Sequence, residues 1–285
     1  MFENVLVPIS SEFYPKQVLK RSLFLGKKFK SKLNFLYIIE EKNLEQTDKL
    51  IDSYISEYDM SQTKKQIIKS QKQTAEELVF KDAALILTKN KISFSEKVKT
   101  GEFTPIIEKE IKKNKYDLIL MGFEKECYLN YRLLEKVDTP VWIEARSDTK
   151  KILSICSNLT PNQKVPKISL ELSKKLGWDL HMLYVLDKED LVIVDKNGKR
   201  SGKKDQKDLI SESLGFSEQM KKKGIEIEVV KGIMEKEIIK KANEINANLV
   251  ILGREQKKKG KLGLPIKNLK KKLAEKCEYS LLFIN

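Results

Sequence analysis

Val5-Leu6-Val7-Pro8-Ile9-Ser10 returns later in the chain as Ile152-Leu153-Ser154-Ile155-Cys156-Ser157, and this return decides the fold. The match runs on without a gap. Ser22-Leu23, Leu25, Lys27-Lys28, Leu33 and Leu36-Tyr37 answer Ser169-Leu170, Leu172, Lys174-Lys175, Leu180 and Leu183-Tyr184, always 147 positions apart. At a different offset, Tyr116-Asp117-Leu118-Ile119-Leu120-Met121-Gly122 answers Ala247-Asn248-Leu249-Val250-Ile251-Leu252-Gly253, and Glu135-Lys136 answers Glu275-Lys276. A period of roughly 140 residues lies far above the 20–50 of solenoids, so each copy is a domain-sized unit.

Each copy alternates strand and helix. In the first, 4–8 reads as an apolar strand, 15–30 as a helix with Val18, Leu19, Leu23 and Phe24 on one side, and 32–40 as a buried strand. A long charged helix is expected within 43–90, more regular in its back half, 74–89. Strand 93–100, helix 104–113 with Pro105 in its first turn, strand 117–122, helix 129–136 and strand 140–144 complete the copy. The second copy repeats the order over 152–155, 165–176, 179–186, 205–223, 226–230, 234–246, 248–252, 267–276 and 280–284. Short apolar strands between amphipathic helices predict parallel strands covered on both faces. The expected fold is therefore α/β: two tandem doubly wound, Rossmann-like domains over 1–146 and 150–285, with a short polar joint at 146–149. An insertion peculiar to the second copy, 191–204, reads either as a strand turning on Asn197-Gly198 or as a basic loop.

The bulk numbers narrow the function. At 285 residues and 40% apolar, the chain holds two soluble-type domains with no run long enough to span a membrane, and it opens on a strand instead of a signal peptide. Cys127, Cys156 and Cys277 are far apart and His181 is the single histidine, which excludes the usual zinc spacings. Reduced thiols of this kind suit the cytoplasm. One histidine also leaves few general bases for neutral pH, and His181 sits mid-strand where packing is its expected role. Of the net charge of +15, residues 1–150 carry +4 and residues 151–285 carry +11. Ten basic residues against two acids fall within 254–276, a stretch able to attract an anion or else a lysine-rich surface. Lys221-Lys222-Lys223 and Lys270-Lys271-Lys272 lack the aromatic neighbours of a nucleic-acid platform. Glu40-Glu41 and Asp187-Glu189-Asp190 follow the second strands and are expected to be solvated ends. Trp142 and Trp178 are expected to pack in core or interface.

The Val-Pro strand end, the "LYII" and "LYVL" strands, the strand-to-helix glycines of Thr100-Gly101-Glu102 and Lys231-Gly232-Ile233, and the "DLILMG" and "NLVILG" segments together resemble the universal stress protein family, twice over nearly the whole chain. The resemblance implies a five-stranded parallel sheet per copy, a nucleotide pocket at the strand ends, and pairing of two domains through their last strands as a pseudo-dimer.

ATP-binding members carry G-x2-G-x9-G-[ST] after the fourth strand, where glycines let backbone N–H groups close on phosphate. They also carry an Asp after the first strand, where this chain has Ser10 and Ser157. From Gly122 to Glu135 is 13 positions and from Gly253 to Glu275 is 22, so the first copy lacks nine residues of that loop and keeps Glu124 and Glu126 instead. No nucleotide is expected there. The second copy keeps the loop length but has Gln256 at the second glycine's position and Lys267-Asn268 at the far end of the loop, with Gly260 and Gly263 out of register. A nucleotide in the second copy would draw on Ser157, Val185, Gly232, Gly253, Arg254, Gly260, Gly263 and Asn268. The expectation is a non-enzymatic, stress-associated regulatory or binding module with no catalytic residues, metal or required cofactor. ATP or AMP bound and slowly hydrolysed in the second copy, or a polyanion or nucleic acid held by 254–276, are the alternatives. The partner classes left open are a homodimer, another protein and an anionic ligand.

Overall fold

A computed structural model describes residues 1–10, 16–40, 57–122, 133–134, 136–145, 149–159, 163–187, 192–194, 200–203, 205–253, 273 and 279–284. The chain forms two compact units, Met1–Thr139 and Pro140–Asn285.

In the first unit the strands are β1 (Asn4–Ser10), β2 (Lys32–Glu40), β3 (Phe94–Gly101) and β4 (Leu118–Gly122). Their order is β4-β1-β2-β3, and every pairing is parallel. Helix α1 (Lys16–Phe29) follows β1, and α4 (Phe103–Lys113) follows β3. The connection between β2 and β3 holds α2 (Glu57–Thr74), a π-helical turn (Ala75–Phe80) and α3 (Lys81–Lys89). The back half of this connection is thus less regular than its sequence suggests, and the apolar spacing supplies a reason. Ala75, Val79, Ala83 and Leu87 are all buried and recur every fourth residue. Four residues of α-helix turn about 400°, so such a stripe drifts off one face, and a wider turn corrects the drift.

The second unit holds β5 (Val141–Glu144), β6 (Lys151–Ser157), β7 (Asp179–Asp187), β10 (Ile227–Gly232), β11 (Leu249–Gly253) and β12 (Ser280–Ile284). Their order is β10-β7-β6-β11-β12-β5. All neighbours are parallel except β5, which runs antiparallel to β12. Helices α5 (Lys164–Leu176), α6 (Gln206–Lys221) and α7 (Met234–Glu244) connect them. Because both faces are covered, β6, β11 and β12 are buried almost throughout. Within the 191–204 insertion, β8 (Val192–Val194) pairs antiparallel with β9 (Arg200–Lys203) in a two-stranded sheet, while Asn197-Gly198 lies outside the described residues.

β5 is the last strand of the first copy by sequence, yet it completes the second unit. Trp142, fully buried, lies opposite Leu282, and Ile143 opposite Leu281. One polar network sits in this apolar ladder. Trp142 Nε1 donates to Glu144 Oε2 at 2.9 Å, Ser280 Oγ donates to the same oxygen at 3.0 Å, and Ala145 N donates to Ser280 Oγ at 3.1 Å. Each hydrogen bond offsets the cost of taking a polar group out of water. Trp178 is likewise buried and His181 half-buried within β7, as their sequence settings predict.

Candidate functional site

The second unit's strand order places its topological switch between β6 and β11, so their carboxyl ends border the crevice where such sheets hold ligands. Ser157 ends β6, Val185 stands beside it in β7, Gly232 ends β10 and Gly253 ends β11. The structure therefore brings four of the eight expected residues to one edge of one sheet. Arg254, Gly260, Gly263 and Asn268 lie outside the described residues, as do the first copy's Glu124 and Glu126.

Around these positions the chain satisfies itself. Ser157 is fully buried, and its Oγ accepts the Leu159 N–H at 3.1 Å, a local turn that uses the hydroxyl. Asn158 Oδ1 accepts the Asp187 N–H at 2.9 Å, tying the end of β6 to the end of β7. Asp187 Oδ2 in turn accepts the N–H of Met234, the first residue of α7, at 3.1 Å. That N–H is one of the donors a helix start leaves without an intrahelical partner, the kind that binds phosphate elsewhere. Here a carboxylate of the chain takes it. Two more acids, Glu235 and Glu237, stand in the first turn of α7, where the helix dipole favours negative charge. Gly232 is favoured by this arrangement, because a Cβ there would push the flexible Glu237 side chain aside. Its counterpart Gly101 is required for another reason: its φ of 144° disfavours any side chain.

Asp187 and Glu40 stand 147 positions apart in the repeat, and both are buried. They are not the solvated strand ends that the sequence suggested. Paired acids outside any motif gave no local signal, and the recurrence of an acid at one repeat position was the signal available.

Among the described residues no thiol is poised as a nucleophile beside the crevice. Cys156 is fully buried among Tyr184, Leu186 and Leu209, and burial pushes its thiol up to about 12. Among the described residues no group of three His, Cys, Asp or Glu side chains could hold a metal ion, and no helix is long and apolar enough to cross a membrane.

Solved structures share this fold over the full tandem. A Pseudomonas aeruginosa UCBPP-PA14 protein, 14% identical, matches with a TM-score of 0.67 over 99% of this chain and 93% of its own. A universal stress protein from Archaeoglobus fulgidus, 16% identical, matches with 0.66 over 98% of each. A functionally unknown protein from Pseudomonas aeruginosa PAO1, 13% identical, matches with 0.61 over 99% of this chain and 92% of that one. No curated protein gives a significant match. The universal stress protein family model matches residues 1–142 and again 149–284. The chain is a two-copy member of the universal stress protein family.

Proposed function

We propose that this protein is a non-enzymatic binding or regulatory module of the stress response whose strand-end crevices have ceased to hold nucleotide as a built pocket. One observation carries the reading: Asp187 accepts the Met234 N–H at the start of α7 and is itself held by Asn158. A helix start whose donor is taken by an internal anion, with Glu235 and Glu237 beside it, is a poor host for phosphate. The serines at the ends of β1 and β6 support the same reading, since neither offers the carboxylate that ATP-binding relatives place there. Anion attraction, where it occurs, comes from the basic 254–276 segment by charge.

Calorimetric titration with ATP, AMP and inorganic polyphosphate, at low and high salt and alongside a phosphate-release assay, tests this. The expected result is weak binding that does not distinguish the three, fades with salt and yields no turnover. Salt-insensitive binding selective for adenine, or steady phosphate release, sinks the proposal.

A further inference from the structure

Two lysines of the first unit hold backbone conformations that the second copy gives to glycine. Lys30 follows α1 at φ 56° and Lys91 follows α3 at φ 55°, and both are exposed. The counterpart of Lys30, 147 positions on, is Gly177 at φ 65°. The counterpart of Lys91 is Gly224 at φ 73°, and matching turn hydrogen bonds identify it. Lys91 N donates to Thr88 O and Ile92 N to Leu87 O, as Gly224 N does to Lys221 O and Ile225 N to Met220 O. A side chain is strained in this left-handed region, whereas glycine is not. A strained residue kept where the other copy shows glycine to fit points to a use for its side chain.

These lysines share one edge. The Lys32 N–H donates to Glu3 O and the Leu33 N–H to Ser93 O, so the starts of β1, β2 and β3 lie side by side there. The ends of α1 and α3 reach the same edge, where Gly26 packs so closely on Ile92 that a Cβ would collide with it. Lys27, Lys28, Lys30, Lys32, Lys89 and Lys91 are thereby gathered, all exposed and, among the described residues, none in an ion pair. The acids at this edge are Glu3 and Asp117, and Asp117 already accepts the N–H groups of Glu3 and Asn4. Helix dipoles account for Lys27, Lys28 and Lys89, which lie in last turns. They do not account for Lys30, Lys32 and Lys91, where the second copy has Gly177, Asp179 and Gly224.

A second observation stands beside the first. Leu85 and Ile86 lie one turn before Lys89 on α3 and are 64% and 37% exposed. The second copy exposes Ile210 and Leu214 on α6, but there Glu218, not a lysine, follows Leu214 by one turn. We propose that this edge of the first unit docks on anionic lipid bilayers, with the lysines against headgroup phosphates and Leu85 and Ile86 entering the interface. Apolar side chains beside clustered lysines suit that surface, because buried area and attraction to anionic headgroups add. A nucleic-acid backbone offers Leu85 and Ile86 nothing to bury against, and among residues of described burial no aromatic ring is exposed for stacking. The six cations are all lysines, flexible point charges suited to a fluid array of headgroups, whereas fixed contacts with an acidic protein favour arginine. The edge lies opposite the carboxyl ends of the strands, so this docking is independent of how the crevice is read.

Flotation of the full chain with vesicles of phosphatidylcholine alone, or of phosphatidylcholine and phosphatidylglycerol in equal parts, tests the proposal. The wild type is expected to float with the anionic vesicles only, and less as salt rises. Lys30→Gly with Lys91→Gly should weaken binding by roughly threefold or more. The melting temperature of that variant should hold or rise, because both positions suit glycine. Leu85→Gln with Ile86→Gln should weaken binding to a similar degree with an unchanged far-ultraviolet spectrum, while Ile210→Gln with Leu214→Gln should not. Equal flotation with both vesicles overturns the proposal. Anionic binding indifferent to either first-unit pair, as attachment through the 254–276 segment alone would give, overturns it too. So does a duplex oligonucleotide that displaces the vesicles and is released by the lysine pair but not by the Leu85 and Ile86 pair, which would assign the edge to nucleic acid.

Discussion

Single residues show where the two copies diverged. In the second copy Ser169 Oγ and Ser154 Oγ hydrogen bond at 2.9 Å, both fully buried. The first copy keeps Ser22 but has Val7 where Ser154 has its counterpart, and among the described residues the buried Ser22 hydroxyl has no hydrogen-bond partner. A buried hydroxyl without a partner costs about 1–3 kcal/mol, whereas a satisfied one stabilises by about 1. Ser22→Ala is therefore expected to leave urea stability unchanged or raise it, and Ser169→Ala to lower it by about 1 kcal/mol. Equal losses from the two substitutions would show that Ser22 does hold a partner.

Glu110 is a carboxyl whose ionisation bears directly on stability. Its side chain is 2% exposed and meets Lys97 at 2.8 Å and Lys99 at 2.5 Å, with Asn114 Nδ2 donating at 2.9 Å and Tyr116 Oη at 3.1 Å. Burial raises its pKa, but hydrogen bonds to both lysines and their charges outweigh this and hold it at about 2 against the usual 4.5. Burial and the same carboxylate push the Tyr116 phenol upward. A carboxyl with a depressed folded pKa contributes stability above its unfolded value and loses it as pH falls through the folded one. Stability should thus decline from about pH 4.5 towards pH 2. Glu110→Gln should flatten that part of the profile and cost about 1.5–3 kcal/mol at neutral pH, the range for hydrogen bonds to charged groups. An unchanged acid limb in urea titrations of the variant would place the pH dependence elsewhere.

At the scale of elements, the same bridge occurs in both copies with its signs reversed. Lys241 of α7 meets Glu228 of β10 at 2.8 Å, and both residues lie 131 positions beyond Glu110 and Lys97. What was retained is a tie between the outer strand and the helix that follows it, indifferent to which side carries the acid. The tie itself was not legible in the sequence, because lysines and glutamates crowd every helix and nothing marks which of them meet. The strands and their parallel sheet were legible, since apolar runs between amphipathic stretches leave few architectures. The π-turn was visible only in the four-residue spacing of Ala75, Val79, Ala83 and Leu87. The Glu144 network could not be read either, as it depends on Ser280 lying across a ladder 136 residues away. Because Ser280 serves two partners there, Ser280→Ala should cost about 1–3 kcal/mol and Ser280→Thr far less. Chemical denaturation followed by Trp142 fluorescence reads both, and equal losses would mean that the hydroxyl is not what matters.

For the whole molecule, the family could be read from two matching halves, while the state of the crevice could not. The sequence pointed to missing glycines and added lysines. The structure adds a positive feature, a carboxylate seated on a helix start, which no motif announces because Asp187 lies 47 residues before Met234. On the proposed reading, the family pocket becomes a scaffold available for other contacts. Relieving the seat should have a measurable consequence: Asp187→Ala frees the Met234 N–H and is expected to strengthen binding of inorganic phosphate or ATP severalfold in calorimetry, at some cost in stability. No gain in a folded variant would mean that Asp187 is not what closes the site.

The central claim, that backbone donors at the second copy's strand ends are taken by the chain's own side chains, is tested most directly by amide NMR of the wild-type protein as ATP is added. The account predicts that the Leu159, Asp187 and Met234 amides, each donating to a side chain of the chain itself, do not move while signals of the basic segment shift weakly and without saturation. Saturable shifts centred on those three amides would contradict it.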